Sequence, residues 1–273
     1  MPKRWFRYRV YGEGEPVVLI PGLDGLTEFF ADVVPELARR NKVVLYELPL
    51  RGDADAAGAD YSFDYLASDL KSVLDELGID RAHIVGESFG GVVSQTLALN
   101  HPEVVCTLTL ISSAPHFEVS RKNRLLLPLF AVTPMWLFAR VHLSDVCEPE
   151  DPAWAKRLFV RGASYADHAS VYARARIVSR VDLRSRVSEI RCPVLLVVGS
   201  RDRFTGEASR QMTQLVPQAQ MVSIEGGGHL CHMTHPKLFL AAVQPFLASA
   251  GGGVVGGQSA RSSVVRAAAS SSS

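Results

Sequence analysis

The sequence predicts an α/β fold: a doubly wound, mostly parallel sheet with a helical cap inserted. Three observations lead there. Short apolar runs recur along the chain, and most are continuous rather than alternating, as suits strands covered on both faces. Segments with helical periodicity separate them, and strand–helix–strand repetition builds a parallel sheet. The alternation breaks once, from about Pro115 to Ser188, where prolines and helix-like stretches stand with no clear strand.

In chain order the expected strands are Val17–Ile20 (VVLI), Val43–Tyr46, His83–Val85, Leu108–Ile111, Val194–Val198 and Gln220–Ile224. The expected helices are Thr27–Arg39, Ser62–Leu77, Gly90–Asn100, Gly206–Leu215 and His235–Leu247. The break is best placed as a cap over one end of the sheet, because folds of this kind put insertions and sites at the carboxyl ends of the strands. The expected organisation is a core of residues 1–114 and 189–248, a cap of residues 115–188, and a tail of residues 249–273. The tail contains only Gly, Ala, Ser, Val, Gln and two arginines. It cannot bury enough surface to offset its ordering entropy, so it is expected to be disordered, with globular structure stopping near Ala248.

Composition excludes several classes of function. The 273 residues are 47% hydrophobic and 21% charged, ordinary for a globular chain and unlike a fibre. A net charge of +1 provides no global field to recruit nucleic acid or an anionic membrane. Cys106, Cys147, Cys192 and Cys231 are too irregularly spaced for a disulfide framework or a zinc knuckle. Buried free thiols in a reducing compartment are expected instead. No secretory signal opens the chain, and the longest apolar stretch, Leu125–Ala139, is interrupted by Pro128 and Pro134. It is shorter than the roughly 20 residues needed to cross a bilayer. A cytoplasmic location with no transmembrane segment is expected.

The strongest chemical signal is Gly86-Glu87-Ser88-Phe89-Gly90, followed by Gly91, directly after an expected strand and before an expected helix. That context is the one a nucleophile elbow requires: a serine on a sharp strained turn, flanked by glycines because side chains there would strike the neighbouring strand and helix. A serine hydroxyl is a weak nucleophile without a base. The elbow therefore predicts an acid and then a histidine later in the chain. Asp202 follows the strand Val194–Val198, and His229 lies in Gly226-Gly227-Gly228-His229 beyond the strand ending at Ile224.

These residues, with Pro21-Gly22-Leu23-Asp24-Gly25 and Pro236, resemble the α/β-hydrolase superfamily over about residues 10–248. The resemblance is greatest to its esterase, lipase and thioesterase branch. It implies Ser88 as nucleophile, His229 as base and Asp202 as the buried acid that orients it. It also implies that the backbone N–H groups of Leu23 and Phe89 receive the oxyanion, and that no cofactor or metal takes part. The expected substrate is a small-molecule ester or other acyl compound with an apolar acyl or alkyl part. Thioesterase, acyltransferase, lactonase and C–C hydrolase chemistry fit the same triad, and a ligand-binding pseudo-hydrolase is the non-enzymatic alternative. The chain departs from common patterns at Pro21, where many members have His, and at Glu87, where many have His or Asn.

Other residues compete for roles. Glu87 is expected to point away from Ser88 as a solvated or helix-capping carboxylate, and Glu225 to cap a strand end. Asp24 fits either a border of the site or a turn-stabilising role. His229, His232 and His235 are spaced by three, but no HExxH pattern or matched ligand accompanies them, so His232 and His235 are expected at the surface or at a helix start. His116 has a position from which it could face the cleft. The apolar stretch Leu125–Ala139 reads either as cap packing or as a wall for an acyl chain. Arg174, Arg176, Arg180, Arg184 and Arg186 read as a solvated face or as an attractor for an anionic substrate.

Overall fold

A computed structural model describes residues 7–117, 127–251 and 265–267. Eight strands form one sheet: β1 (Tyr8–Tyr11), β2 (Glu15–Ile20), β3 (Asn41–Tyr46), β4 (Ala82–Glu87), β5 (Val105–Ile111), β6 (Val194–Gly199), β7 (Ala219–Ile224) and β8 (Val265–Ala267). Their order is β1-β3-β2-β4-β5-β6-β7-β8. Only the edge strand β1 runs antiparallel to its neighbour. Helices of ten or more residues are α1 (Phe63–Glu76), α2 (Phe89–Asn100), α3 (Met135–Val146), α4 (Ala153–Tyr165), α5 (His168–Val178), α6 (Gly206–Leu215) and α7 (Pro236–Gly251).

The continuous apolar strands are buried on both faces. Val18 and Ile20 of β2 point into one core with Ile84, Leu66 and Val92, while Val17 and Leu19 point into the other with Val85, Phe239 and Val243. Period-two alternation therefore serves two cores, and all four residues of VVLI are inaccessible. Ser62 caps α1 by accepting the Tyr65 N–H at 3.2 Å, and Asp167 caps α5 by accepting the Ser170 N–H at 2.9 Å.

The sheet departs from expectation at its edges. β1 went unread because its four residues, two of them Tyr and one Arg, are mostly exposed. The segment expected as one helix over Thr27–Arg39 is instead a 3-10 turn at Thr27–Phe30 and one helical turn at Val34–Leu37, with Pro35 at the start of the second. At the other end α7 runs to Gly251, past the boundary expected at Ala248, and β8 pairs in parallel with β7. The tail expected to be disordered thus contributes a strand at the sheet edge, where β7 offers unpaired backbone groups. Its remaining residues, 252–264 and 268–273, lie outside the described residues.

Between β5 and β6 the described residues form helices and turns. The two ends of this insertion are tied together: the Leu183 N–H donates to the Pro115 carbonyl at 2.8 Å, beside a bridge between His116 and Asp182. Helix α4 packs through Phe159 and Ala163 on Phe29, Leu230 and Met233, which places the insertion over the carboxyl ends of the strands. Residues 118–126, including the start of the apolar stretch Leu125–Ala139, lie outside the described residues. Among the described residues no helix is long and apolar enough to cross a membrane.

Candidate active site

β4 passes to α2 through one residue, Ser88, at φ 49° and ψ −111°. For a side chain larger than glycine this conformation costs roughly 1–3 kcal/mol, so the surroundings must enforce it. They do so with hydrogen bonds on both sides: the Ser88 N–H donates to Ile111 O at 2.8 Å, and the Ser113 hydroxyl donates to Ser88 O at 2.7 Å. Close approach does the rest. A Cβ on Gly90 would lie 2.5 Å from the carbonyl oxygens of Ile20 and Pro21, so only glycine lets α2 start this near β2.

Asp202 and His229 come from loops beyond β6 and β7. These strands are second and third from β4, not its direct neighbours, so both loops reach back over the sheet. His229 Nδ1 lies 3.3 Å from Asp202 Oδ2. Asp202 is buried and well supplied with donors: Oδ1 accepts the N–H groups of Phe204 and Thr205, each at 2.9 Å, and Oδ2 accepts the Thr205 hydroxyl at 2.5 Å. Burial opposes its charge, but His229 and the Thr205 bonds prevail and hold its pKa well below the usual carboxylate range. Burial likewise opposes a charged His229, yet the carboxylates of Asp202, Glu87 and Glu148 hold its pKa above the ordinary value. The Phe204 ring stands edge-on to the imidazole, centroids 5.3 Å apart.

Ser88, Phe89, Leu23 and His229 line one cavity of about 680 Å³. Among the described residues, neither the Leu23 N–H nor the Phe89 N–H donates to a protein acceptor. Unpaired amides beside a serine are suited to receive developing negative charge. The outer wall comes from the insertion, with Leu127, Phe130, Leu137, Phe138 and Val141 among its residues. Part of the described apolar stretch therefore faces the site, while Val132 and Trp136 are exposed to solvent. It is not one helix, because Pro134 is the N-cap of α3.

Glu87 corrects the sequence reading. It is neither solvated nor a cap: it is 3% exposed, lines the cavity, and places Oε1 3.9 Å from His229 Nε2. Gly22 makes room for it, since a Cβ there would sit 2.9 Å from the Glu87 carboxyl carbon. Burial, reinforced by Asp24 and Asp202, raises its pKa to about 7 against the pull of His229 and the Gly22 N–H. The signal available in the sequence was Glu87's place at the end of the buried strand run Ile84–Val85, directly before Ser88.

His232 stands at the start of the short helix Cys231–Thr234, one of the two places expected for it, but not at the surface: it is fully buried, with its ring 4.9 Å from that of Phe30 and 6.1 Å from that of Phe239. His235 is half-buried and directly precedes α7, and Glu225 is exposed. His116 is buried but is not among the cavity's lining residues. Asp24 lines the cavity. The arginines divide: Arg176, Arg180 and Arg184 are exposed and Arg186 is half-buried, while Arg174 is buried and donates to Tyr61 Oη at 3.0 Å, Leu23 O at 3.1 Å and Pro49 O at 3.2 Å. None of the five lines the cavity.

The sequence model of the alpha/beta hydrolase family matches residues 17–243. The chain belongs to the alpha/beta hydrolase family. The α/β-hydrolase is 31% identical over 88% of its length to the polyketide synthase ThaQ of Burkholderia thailandensis, and spans 12% of that much longer protein. It is 30% identical to the putative carbamate hydrolase RutD of Pseudomonas syringae pv. syringae, covering 88% of this chain and 96% of the relative. A crystal structure of a hydrolase from Pseudomonas aeruginosa PA01 superposes with a TM-score of 0.79 at 22% identity, over 88% of this chain and 93% of that one. That likeness concerns the fold.

Proposed function

We propose that this α/β-hydrolase is a serine esterase that works through an acyl-enzyme on Ser88. The observation that carries the reading is the 3.3 Å contact between His229 Nδ1 and Asp202 Oδ2, with Ser88 opening onto the same cavity as the imidazole. Asp202 fixes the tautomer so that Nε2 is free to accept a proton. Ser88 Oγ attacks the acyl carbonyl and its proton passes to Nε2. The carbonyl π electrons move to the oxygen, which the amides of Leu23 and Phe89 receive. The tetrahedral intermediate collapses, the C–O bond to the leaving group breaks, and His229 returns the proton to the departing alcohol. Water, deprotonated by His229, attacks the acyl-enzyme in the same way and releases the acid and Ser88.

The cavity favours an ester with a sizeable apolar acyl part, because the insertion presents mostly apolar side chains to a space of about 680 Å³. Carbamate hydrolysis is the second reading, supported by the near-full-length similarity to the putative carbamate hydrolase. It uses the same attack with a nitrogen-substituted carbonyl. The cavity is larger than a small carbamate needs, which favours the ester. The similarity to a polyketide synthase makes thioesters worth assaying in parallel.

The test is turnover of activated esters, thioesters and a carbamate by the native protein and by Ser88→Ala, with folding checked by circular dichroism. Loss of turnover in the variant and labelling of native Ser88 by a fluorophosphonate are expected. Retention of most activity by Ser88→Ala refutes the nucleophile, and failure of the folded native protein to label favours a ligand-binding role.

A further inference from the structure

The triad accounts for a serine, a histidine and an aspartate in one place, but not for a second carboxyl buried with them. Glu87 ends β4 directly before Ser88, is 3% exposed, and needs the space left by Gly22 to fit. Burying a carboxyl is costly, and its pKa is raised to about 7. Asp202 already serves Nδ1 of the imidazole, so the tautomer needs no second acid. Glu87 stands at the other nitrogen, with Oε1 3.9 Å from Nε2.

That separation is too long for a hydrogen bond between the two, and neither atom is closed off. Glu87 and His229 both line the cavity, and neither carboxyl oxygen nor Nε2 is sealed from solvent without a partner among the described residues. Oε2 is the carboxyl atom nearest to Gly22, which leaves Oε1 toward the imidazole. On another side of the ring stands Phe204, which offers no acceptor. An oxygen about 2.8 Å from both Nε2 and Oε1 has them about 90° apart, a bend that suits two protons on one molecule. The second half of ester hydrolysis brings such a molecule there, because the group that attacks the acyl-enzyme must lie within hydrogen-bond reach of its base, Nε2.

We infer that Glu87 is a further catalytic residue, which holds the water that attacks acyl-Ser88 and so directs the acyl group to water rather than to an alcohol. The inference rests on the esterase reading above and deepens it. The water oxygen bonds to the acyl carbon, one of its protons passes to His229 Nε2, and the other is donated as a hydrogen bond to Glu87 Oε1. The carbonyl π electrons move to the oxygen held by the amides of Leu23 and Phe89. On collapse they re-form the double bond, the bond between the acyl carbon and Ser88 Oγ breaks, and His229 returns its proton to Oγ. The proton shared with Glu87 leaves on the carboxylic acid. An alcohol has a single proton, which goes to Nε2. It sets an alkyl group against the carboxylate, which loses hydration without gaining a hydrogen bond.

The experiment follows p-nitrophenyl octanoate in graded methanol at pH 8, where Glu87 is mostly ionised, and measures methyl octanoate against octanoic acid. The ratio of methyl ester to acid, per mole of methanol, should rise about tenfold or more in Glu87→Leu, because water alone loses a charged acceptor. Glu87→Gln, the milder change, should move the ratio the same way: its oxygen takes the Gly22 N–H, and its NH2, a donor, faces the water. An unchanged or lowered ratio in either variant, with folding checked by circular dichroism, overturns the inference. No turnover by the native protein, or turnover that survives in Ser88→Ala, fails the esterase reading and this inference together. Turnover lost in Ser88→Ala, with the ratio unmoved by both changes at Glu87, overturns this inference alone.

Discussion

His229 Nε2 and Glu87 Oε1 face each other across 3.9 Å, both buried, so the nitrogen proposed to take the serine proton has a second carboxyl group beside it. With Asp202 on Nδ1, the imidazole lies between two acids of unlike character. Asp202 is held ionised, whereas Glu87, with its pKa raised to about 7, gains its charge only near neutrality. This is a pair of carboxyls separated by environment rather than by type.

The first prediction concerns pH and rate. As pH rises through about 7, Glu87 ionises and favours the protonated imidazole, which cannot act as a base. In Glu87→Gln that charge is gone, so His229 should lose its proton at lower pH. The acid limb of the kcat/KM profile should move downward in pH, measured with an activated ester. An unmoved limb in a folded variant would mean that Glu87 does not act on His229.

The same carboxyl makes a stability prediction with a definite sign. Its folded pKa is above the ordinary 4.5, so the folded protein binds the extra proton between about 4.5 and 7. The associated stability is fully present below 4.5 and is lost as pH rises through 7, on the order of 3 kcal/mol. Glu87→Gln should therefore raise the melting temperature more at pH 8 than at pH 4. Equal shifts at both would contradict the raised pKa.

Arg174 joins the insertion to the oxyanion loop through the Leu23 carbonyl, one peptide away from the amide assigned to the oxyanion. It acts as a positioning residue. Arg174→Met should lower kcat by about tenfold or more, by freeing a donor that must be aimed in advance. Arg174→Lys should restore little, since one ammonium cannot reproduce a fork that reaches Tyr61, Leu23 and Pro49 together. A drop confined to KM, or full rescue by lysine, would argue for simple packing.

Ser88 holds a strained backbone conformation at the elbow. At φ 49° a glycine would relax the elbow, with part of the gain offset by the greater freedom of glycine in the unfolded chain. Ser88→Gly should be inactive and more stable than the native protein by about 1 kcal/mol in urea unfolding. A less stable variant would show that the serine side chain contributes more than its backbone costs.

What the sequence made legible follows from how much each feature depends on local chain. The elbow was readable because Gly90 and Ser88 answer to backbone geometry that few residues tolerate, and the two-sided strands because both faces of VVLI are covered. The burial of Glu87 and His232 is not legible because distant partners decide it, Gly22 and Asp24 for one, Phe30 and Phe239 for the other. The same holds for Arg174: nothing in a run of arginines tells which one turns inward to meet carbonyls more than a hundred residues earlier.

His232 supplies the last prediction. Neither ring nitrogen has a hydrogen-bond partner among the described residues, and burial, with His229 adding to it, lowers the pKa to about 3. The unfolded chain takes up a proton at about 6.5 that the folded protein refuses until about 3. Stability is therefore complete above 6.5 and declines as pH falls toward 3, by an amount on the order of 5 kcal/mol across that window. His232→Leu fills similar space among Phe30 and Phe239 and titrates nothing. Its urea-unfolding free energy should match or exceed the native value at pH 7.5, and the difference in its favour should widen at pH 5. A constant difference between the two pH values would mean that the buried imidazole accepts its proton in the folded state.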